Sequence, residues 1–222
     1  MLIHDVDHPG TNNSFEVATK SRLSILYNDI SVLENHHIAL GFSIMQSSND
    51  YNVITQWTPE EQKLFRQLAI HNILATDMAC HNDLVKDITA RALNTRPFDT
   101  SLQDERKALY RILLHNSDLS NTVRPFHISQ QICSYIATEF RNQAKKEEEN
   151  GLPVTPFMIL PDSLSVAKAE IGFLQYVAKP YFRPQGLCFN AMSVLAQQLE
   201  ENIDRWSERK MELELQEHIG NK

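Results

Sequence analysis

The chain has 222 residues, 42% of them hydrophobic, and its 21 Lys and Arg against 28 Asp and Glu give a formal net charge of -7. That size and apolar content allow a sizeable core and exclude a fibrous or disordered chain, while the acidic balance excludes an electrostatic grip on nucleic-acid backbone. Cys80, Cys133 and Cys188 are far apart and odd in number, which fits neither a disulfide framework nor a thiolate metal site and points to a reducing compartment.

The first residues lack a basic run followed by an apolar one, and no stretch approaches the roughly 20 apolar residues that span a bilayer. A soluble, cytoplasmic protein without a membrane-spanning segment is expected. Gly and Pro are sparse, and apolar residues recur at helical rather than alternating spacing, so the fold is expected to be all-α. From Ser31 to Met45, Leu33, His37, Leu40 and Ile44 share a stripe. Thr58-Pro59-Glu60-Glu61 reads as a helix start, with a hydroxyl cap, Pro at the first position and Glu at the third. That helix is expected to run through Met78 towards Leu84.

A polar loop around Asn94 to Asp99 precedes a helix from Leu102 to His115, with Asp118-Leu119-Ser120-Asn121 just beyond it. Ile128 to Lys146 is a further amphipathic helix, closed by the charge run at Lys145 to Glu149 and by Asn150-Gly151. A loop over Pro153 to Pro161 leads to two last helices, Ser163 to Tyr176 and Asn190 into the charged tail. The tail is expected to be a solvated or frayed helix over 207–222.

His4-Asp5-Val6-Asp7-His8-Pro9-Gly10 packs two imidazoles and two carboxylates into seven residues. Imidazole nitrogen and carboxylate oxygen suit a hydrolytic zinc or a harder magnesium or manganese ion. Thr76-Asp77 is a polar pair in an apolar stretch, and buried polar groups need partners. His71, His81, His127 and His218 match no ligand pattern and are expected at the surface or in hydrogen-bonded packing.

HDVDHPG at the start, YNDISVLENHH at Tyr27 to His37, LATDM at Leu74 to Met78 and HNSDLSN at His115 to Asn121 together resemble the class I 3',5'-cyclic-nucleotide phosphodiesterase catalytic domain. The resemblance extends over most of the chain, giving 1–206 as the C-terminal part of such a domain. It implies a compact multi-helix bundle of the HD-type phosphohydrolase kind. It also implies hydrolysis of cAMP or cGMP to the 5'-monophosphate by two divalent metal ions, Zn²⁺ at the tight site and Mg²⁺ or Mn²⁺ at the second. By the same resemblance His4, Asp5 and Asp118 ligate metal, and His8, Glu34, Thr76 and Asp77 hold or orient its waters. Asn121, Ile136, Phe140, Glu170 and Phe173 contact the nucleotide, with Phe157 and Met158 near the pocket mouth; a homodimer is compatible with the family.

Two departures stand out. The family's H-N-x-x-H motif, which supplies an acid and a further metal ligand upstream of HDxDHPG, is absent from the sequence. The expectation is therefore an N-terminally truncated domain with little or no activity by itself. Glu170 stands where the family carries a Gln that reads the purine, and an ionised Glu accepts but cannot donate. Two other readings remain open: a catalytically silent nucleotide-binding or dimerising module, and an HD-type phosphohydrolase of another phosphate ester.

Overall fold

The computed structural model describes residues 3–94 and 98–220, so the loop expected over Asn94 to Asp99 and the end of the tail lie partly outside the described residues. Among the described residues ten α-helices follow one another: α1 Asn13–Ala18, α2 Arg22–Leu26, α3 Val32–Gln46, α4 Pro59–Leu74, α5 His81–Leu93, α6 Gln103–Asp118, α7 Phe126–Glu149, α8 Ser163–Phe173, α9 Lys179–Cys188 and α10 Ser193–Gly220. Among the described residues there is no strand, in accord with the all-α expectation, and no helix is long and apolar enough to cross a membrane. Two compact units arise, Met1–Asn82 with Phe98–Asp118 and Asp83–Pro97 with Leu119–Lys222.

In the first unit, α4 starts as its sequence requires. The Thr58 hydroxyl accepts from the Glu61 N–H at 3.3 Å, and the Glu61 carboxylate accepts from the Thr58 N–H at 2.8 Å. The expected run to Leu84 is instead interrupted. α4 ends at Leu74, and Asp77 leaves helical geometry to cap a short 3₁₀ turn, Met78–Cys80, before α5. The core gathers Ile38 and Phe42 of α3 with Ile73 of α4, backed by Phe65, Leu74 and Leu114. Each fully buried side chain of this kind contributes about 1.5–3 kcal/mol. The buried face of α3 takes in Leu33, His37, Ile38 and Phe42, whereas Ile44, assigned to that stripe from its spacing, is 45% exposed.

In the second unit, α10 packs on α8 and α9 around Leu174, Tyr181, Phe182 and Leu199. α7 closes as its Asn150-Gly151 ending predicts: Gly151 takes φ 66°, and the N–H groups of Gly151 and Leu152 donate to the Glu148 and Glu147 carbonyls. The helix expected to stop at Tyr176 passes into a wide π turn, Leu174–Ala178, and resumes as α9. Pro180 lies directly after this turn in a continuous helical stretch, where the widened turn accommodates the ring and the missing N–H of a proline. The fully buried Asn202 of α10 donates to the Thr122 and Arg124 carbonyls, both at 2.8 Å.

Candidate metal centre

Residues 3–10 form a loop of turns. The Val6 N–H donates to the Ile3 carbonyl and the His8 N–H to the Asp5 carbonyl, at 3.5 and 3.2 Å. Asp7 and Gly10 take φ of 62° and 70°, the left-handed region that Asp tolerates and Gly favours. The loop is anchored by Ile3, which lies over Gly41 of α3. A methyl group at Gly41 would come within 2.9 Å of the Ile3 Cβ, so the close approach requires glycine there.

This anchorage brings His4 and Asp5 to the C-terminal end of α6. His4 Nε2 lies 3.3 Å from Asp118 Oδ1 and 3.6 Å from Asp5 Oδ2, and one ligand atom from each of the three residues lies within 4.8 Å of the others. α6 runs three residues further than its apolar pattern indicates, so Asp118 is its last residue rather than part of a following loop. His4 is largely enclosed, with 15% of its side chain exposed, whereas Asp5 is 61% exposed. The ligand atoms are thus held from inside and open towards solvent.

Imidazoles back the carboxylates. His37 Nδ1 donates to the Val6 carbonyl at 2.7 Å, which turns its Nε2 towards Asp5 Oδ1 at 3.7 Å. Burial holds the His37 imidazole below the ordinary histidine range, against the opposing influence of Val6 and Asp5. A neutral nitrogen and a carboxylate then face each other with no hydrogen between them, an arrangement a cation would relieve. Three convergent N and O donors, open on one side, fit a divalent ion of the zinc, magnesium or manganese class. His36 Nε2 meets Asp7 Oδ2 at 2.8 Å and steadies the other limb of the loop. His8 accepts the Gly10 N–H at Nδ1, 3.1 Å away, so a neutral His8 carries its proton on Nε2, and its ring stacks on His37 with centroids 5.7 Å apart.

The remaining expected residues of this unit have partners within the protein. Asn13 clamps Glu34 by donating to its Oε2 at 2.9 Å while accepting the Leu33 N–H at 2.9 Å. Burial raises the Glu34 carboxyl above its ordinary range, and the nearby charges of Asp77 and Asp5 add to the shift. Thr76 donates to the Ile73 carbonyl at 2.8 Å, and Asp77 accepts from the Ser31 hydroxyl and the Ala79 N–H at 2.8 and 2.9 Å. The sequence reading did not single out Asn13 or Ser31; only their folded neighbours mark them. His81, expected in packing, is buried and meets the buried His115 at 3.0 Å. Burial first, and the neighbouring His81 second, push the His115 imidazole down to about 4.

In the second unit, the Glu170 carboxyl of α8 meets the Cys133 thiol of α7. Helical spacing places Ile136 and Phe140 one and two turns on from Cys133, and Phe173 one turn on from Glu170. Ile136 is 37% exposed rather than core, and Phe140 meets Phe157 edge to face at 5.6 Å. Met158 is buried, and Asn121 lies in the half-buried 3₁₀ turn Leu119–Val123.

Fold and donor set define an all-α protein with a histidine and aspartate cluster of the kind that holds divalent cations. The 3'5'-cyclic nucleotide phosphodiesterase family matches residues 1–199, and the chain belongs to that family. The high affinity cGMP-specific 3',5'-cyclic phosphodiesterase 9A of Homo sapiens is 36% identical over 210 residues, covering 94% of this chain and 35% of that protein. The 3',5'-cyclic-AMP phosphodiesterase 4C of Rattus norvegicus is 36% identical over 183 residues, covering 80% of this chain and 34% of that protein. The phosphodiesterase domain of the RhoPDE fusion protein from the choanoflagellate Salpingoeca rosetta superposes with a TM-score of 0.93 at 33% identity, over 96% of this chain and 68% of that one. The chain thus spans about a third of the length of these two curated relatives.

Proposed function

We propose that this chain carries the metal-binding part of an enzyme that hydrolyses a purine 3',5'-cyclic nucleotide to its 5'-monophosphate. The observation that carries the reading is the convergence of His4, Asp5 and Asp118 from opposite ends of the first unit. Those three would hold the tighter ion, Zn²⁺ by their chemistry, and the exposed Asp5 would share a second, Mg²⁺ or Mn²⁺. Divalent cations supply Lewis acidity towards the phosphoryl oxygens and make water a better nucleophile near neutral pH.

The protein's own groups do the rest. His8, exposed and with its Nδ1 taken by the Gly10 N–H, would offer its Nε2–H as a donor to anionic oxygen. Glu34, fixed by Asn13, orients water, while Thr76 and Asp77 keep the α4 to α5 corner in place. In the second unit, Glu170 and Asn121 offer polar contacts to a purine, and Phe173, Ile136 and Phe140 offer apolar ones. One relative is named for cGMP and another for cAMP, at the same identity, so the family likeness supports a cyclic purine nucleotide without choosing between them.

Protonation of the departing 3' oxygen needs an acid, and the H-N-x-x-H motif is absent from these 222 residues. Slow turnover by this chain alone follows, lower by roughly 10²–10⁴ than with that acid in place. The test is cAMP and cGMP hydrolysis by the 222-residue protein with Mn²⁺, alongside Mn²⁺ binding by calorimetry. Metal binding and slow hydrolysis, both lost in Asp118→Ala, support the reading. A protein that binds no divalent ion refutes it, and nucleotide binding with no turnover at all favours the silent module.

A further inference from the structure

Arg111 of α6 is an arginine without a counter-charge. The residue is half-buried, its Nε is sealed from water with no hydrogen-bond partner, and among the described residues no carboxylate pairs with it. Its two terminal nitrogens are not sealed, so the end of the guanidinium fork stays open. Lys107 lies one turn earlier on the same face of α6 and pairs with Asp104 at 3.2 Å, a carboxylate that is 95% exposed. Such a surface pair is weak and leaves the ammonium able to turn. From α4, which packs on α6, His71 joins them. Partial burial of its ring, then the charges of Arg111 and Lys107, hold its imidazole below the ordinary histidine range, and no carboxylate opposes them there. On the other side the charge of Arg111 reaches the buried His115, one turn nearer to Asp118.

We propose that Arg111, Lys107 and His71 form a binding site for a phosphate dianion, separate from the candidate metal centre. The reason is electrostatic. A guanidinium does not shed its proton inside a protein, so one that is partly desolvated and met by no carboxylate keeps an unmatched charge until an anion reaches it. Its open end presents N–H groups in a plane, in the fork that suits two oxygens of one phosphoryl group. Lys107 supplies a second fixed charge from the next turn, and His71 a ring nitrogen from the facing helix, so groups from two helices can surround one tetrahedral anion.

The charges favour phosphate over a carboxylate. A phosphate monoester carries about −1.5 to −2 at neutral pH and matches Arg111 and Lys107 together, whereas a carboxylate satisfies one of them. Inorganic phosphate and a nucleoside 5'-monophosphate both offer that group. Arg111 precedes Asp118 by seven residues, about 10 Å along the helix axis, so an anion held by its fork does not share an ion held by Asp118. The site uses none of the residues placed at the metal centre or beside the purine, and it stands whether or not the cyclic-nucleotide reading does. An unmatched charge also costs stability while the site is empty, the opposite of what an arginine kept for packing would do.

The experiment titrates the 222-residue protein with inorganic phosphate by calorimetry, with EDTA present to keep metal out. Wild type should bind saturably. Arg111→Gln should weaken binding by about 10-fold or more, the effect of losing charged hydrogen bonds, and the surface change Lys107→Gln by a few-fold. In phosphate-free buffer Arg111→Gln should unfold at a urea concentration no lower than wild type, and added phosphate should raise the midpoint of wild type but not of the variant. AMP and GMP, with adenosine and guanosine as blanks, tell the sources apart: displacement of phosphate by the monophosphates assigns a monoester, and its failure assigns the free anion, each supporting the site. No saturable binding by wild type, binding unchanged in Arg111→Gln, or equal displacement by acetate overturns it. Binding that appears only with Mn²⁺ places the phosphate on the metal and overturns it too, and a variant midpoint well below wild type without phosphate shows that Arg111 is kept for packing.

Discussion

In the first unit, Asp5, Asp7 and Asp118 face imidazoles and keep an open side, whereas in the second Glu147 and Glu170 are withdrawn from water among uncharged groups. The two glutamates then part company. Glu147 accepts from the Thr155 N–H at 2.7 Å, the Thr155 hydroxyl at 2.8 Å and the Gln143 amide at 2.9 Å. Burial alone would raise its carboxyl, but these donors outweigh burial and lower it, whereas Glu170 has one weak donor and stays raised. The number and strength of donors, rather than depth, decides which acid keeps its charge. At the candidate metal centre neither solution applies, because the buried His37 imidazole, held below the ordinary histidine range, faces the Asp5 carboxylate through a nitrogen that carries no hydrogen, an arrangement a cation would relieve.

The strongest way to break this contrast is to remove the donors' target. Glu147→Leu leaves Gln143 and the Thr155 N–H and hydroxyl without their acceptor and should cost about 2–3 kcal/mol in urea unfolding. Because the folded Glu147 carboxyl is lowered, its stabilisation is present above the ordinary carboxylate pKa and is lost as pH falls through the folded value. The deficit of the variant should therefore shrink in acid, and a pH-independent deficit would mean packing alone is responsible.

Next in size, His37→Ala removes the imidazole that binds Val6 and faces Asp5. Calorimetry should show Mn²⁺ affinity reduced about 10–100-fold, as for other groups that orient ligands. Unchanged affinity would show that the loop is held by Ile3 over Gly41 without it. The smallest effect sharpens the contrast from the other side. Glu170 is raised, so its stabilisation is present below the ordinary carboxylate pKa and is lost as pH rises through the folded value. Urea unfolding of Glu170→Gln relative to wild type should gain with pH in that window by at most ~1.4 kcal/mol per pH unit, opposite in sign to Glu147.

Local signals marked many helix ends well. Thr58-Pro59-Glu60-Glu61 opened α4, and Asn150-Gly151 closed α7, because capping groups act within a few residues of one another. Periodicity failed where tertiary neighbours override it. The apolar run through Thr76 and Asp77 reads as continuous helix, yet Asp77 leaves helical geometry to cap a new turn and accept the Ser31 hydroxyl, 46 residues away. Ile44 continues a stripe on paper but projects outward.

Residue types and their order along the chain were enough to give the all-helical class, the family and the imidazole and carboxylate groups suited to a metal, since each depends on side-chain chemistry or on neighbours a turn apart. Only the folded chain assigned Asn13 to Glu34 and, among the described residues, left Glu170 without a cation while giving Glu147 three donors. Those outcomes depend on which distant groups share a small volume from which water is displaced, and charge and hydrogen-bonding strength are set by that company.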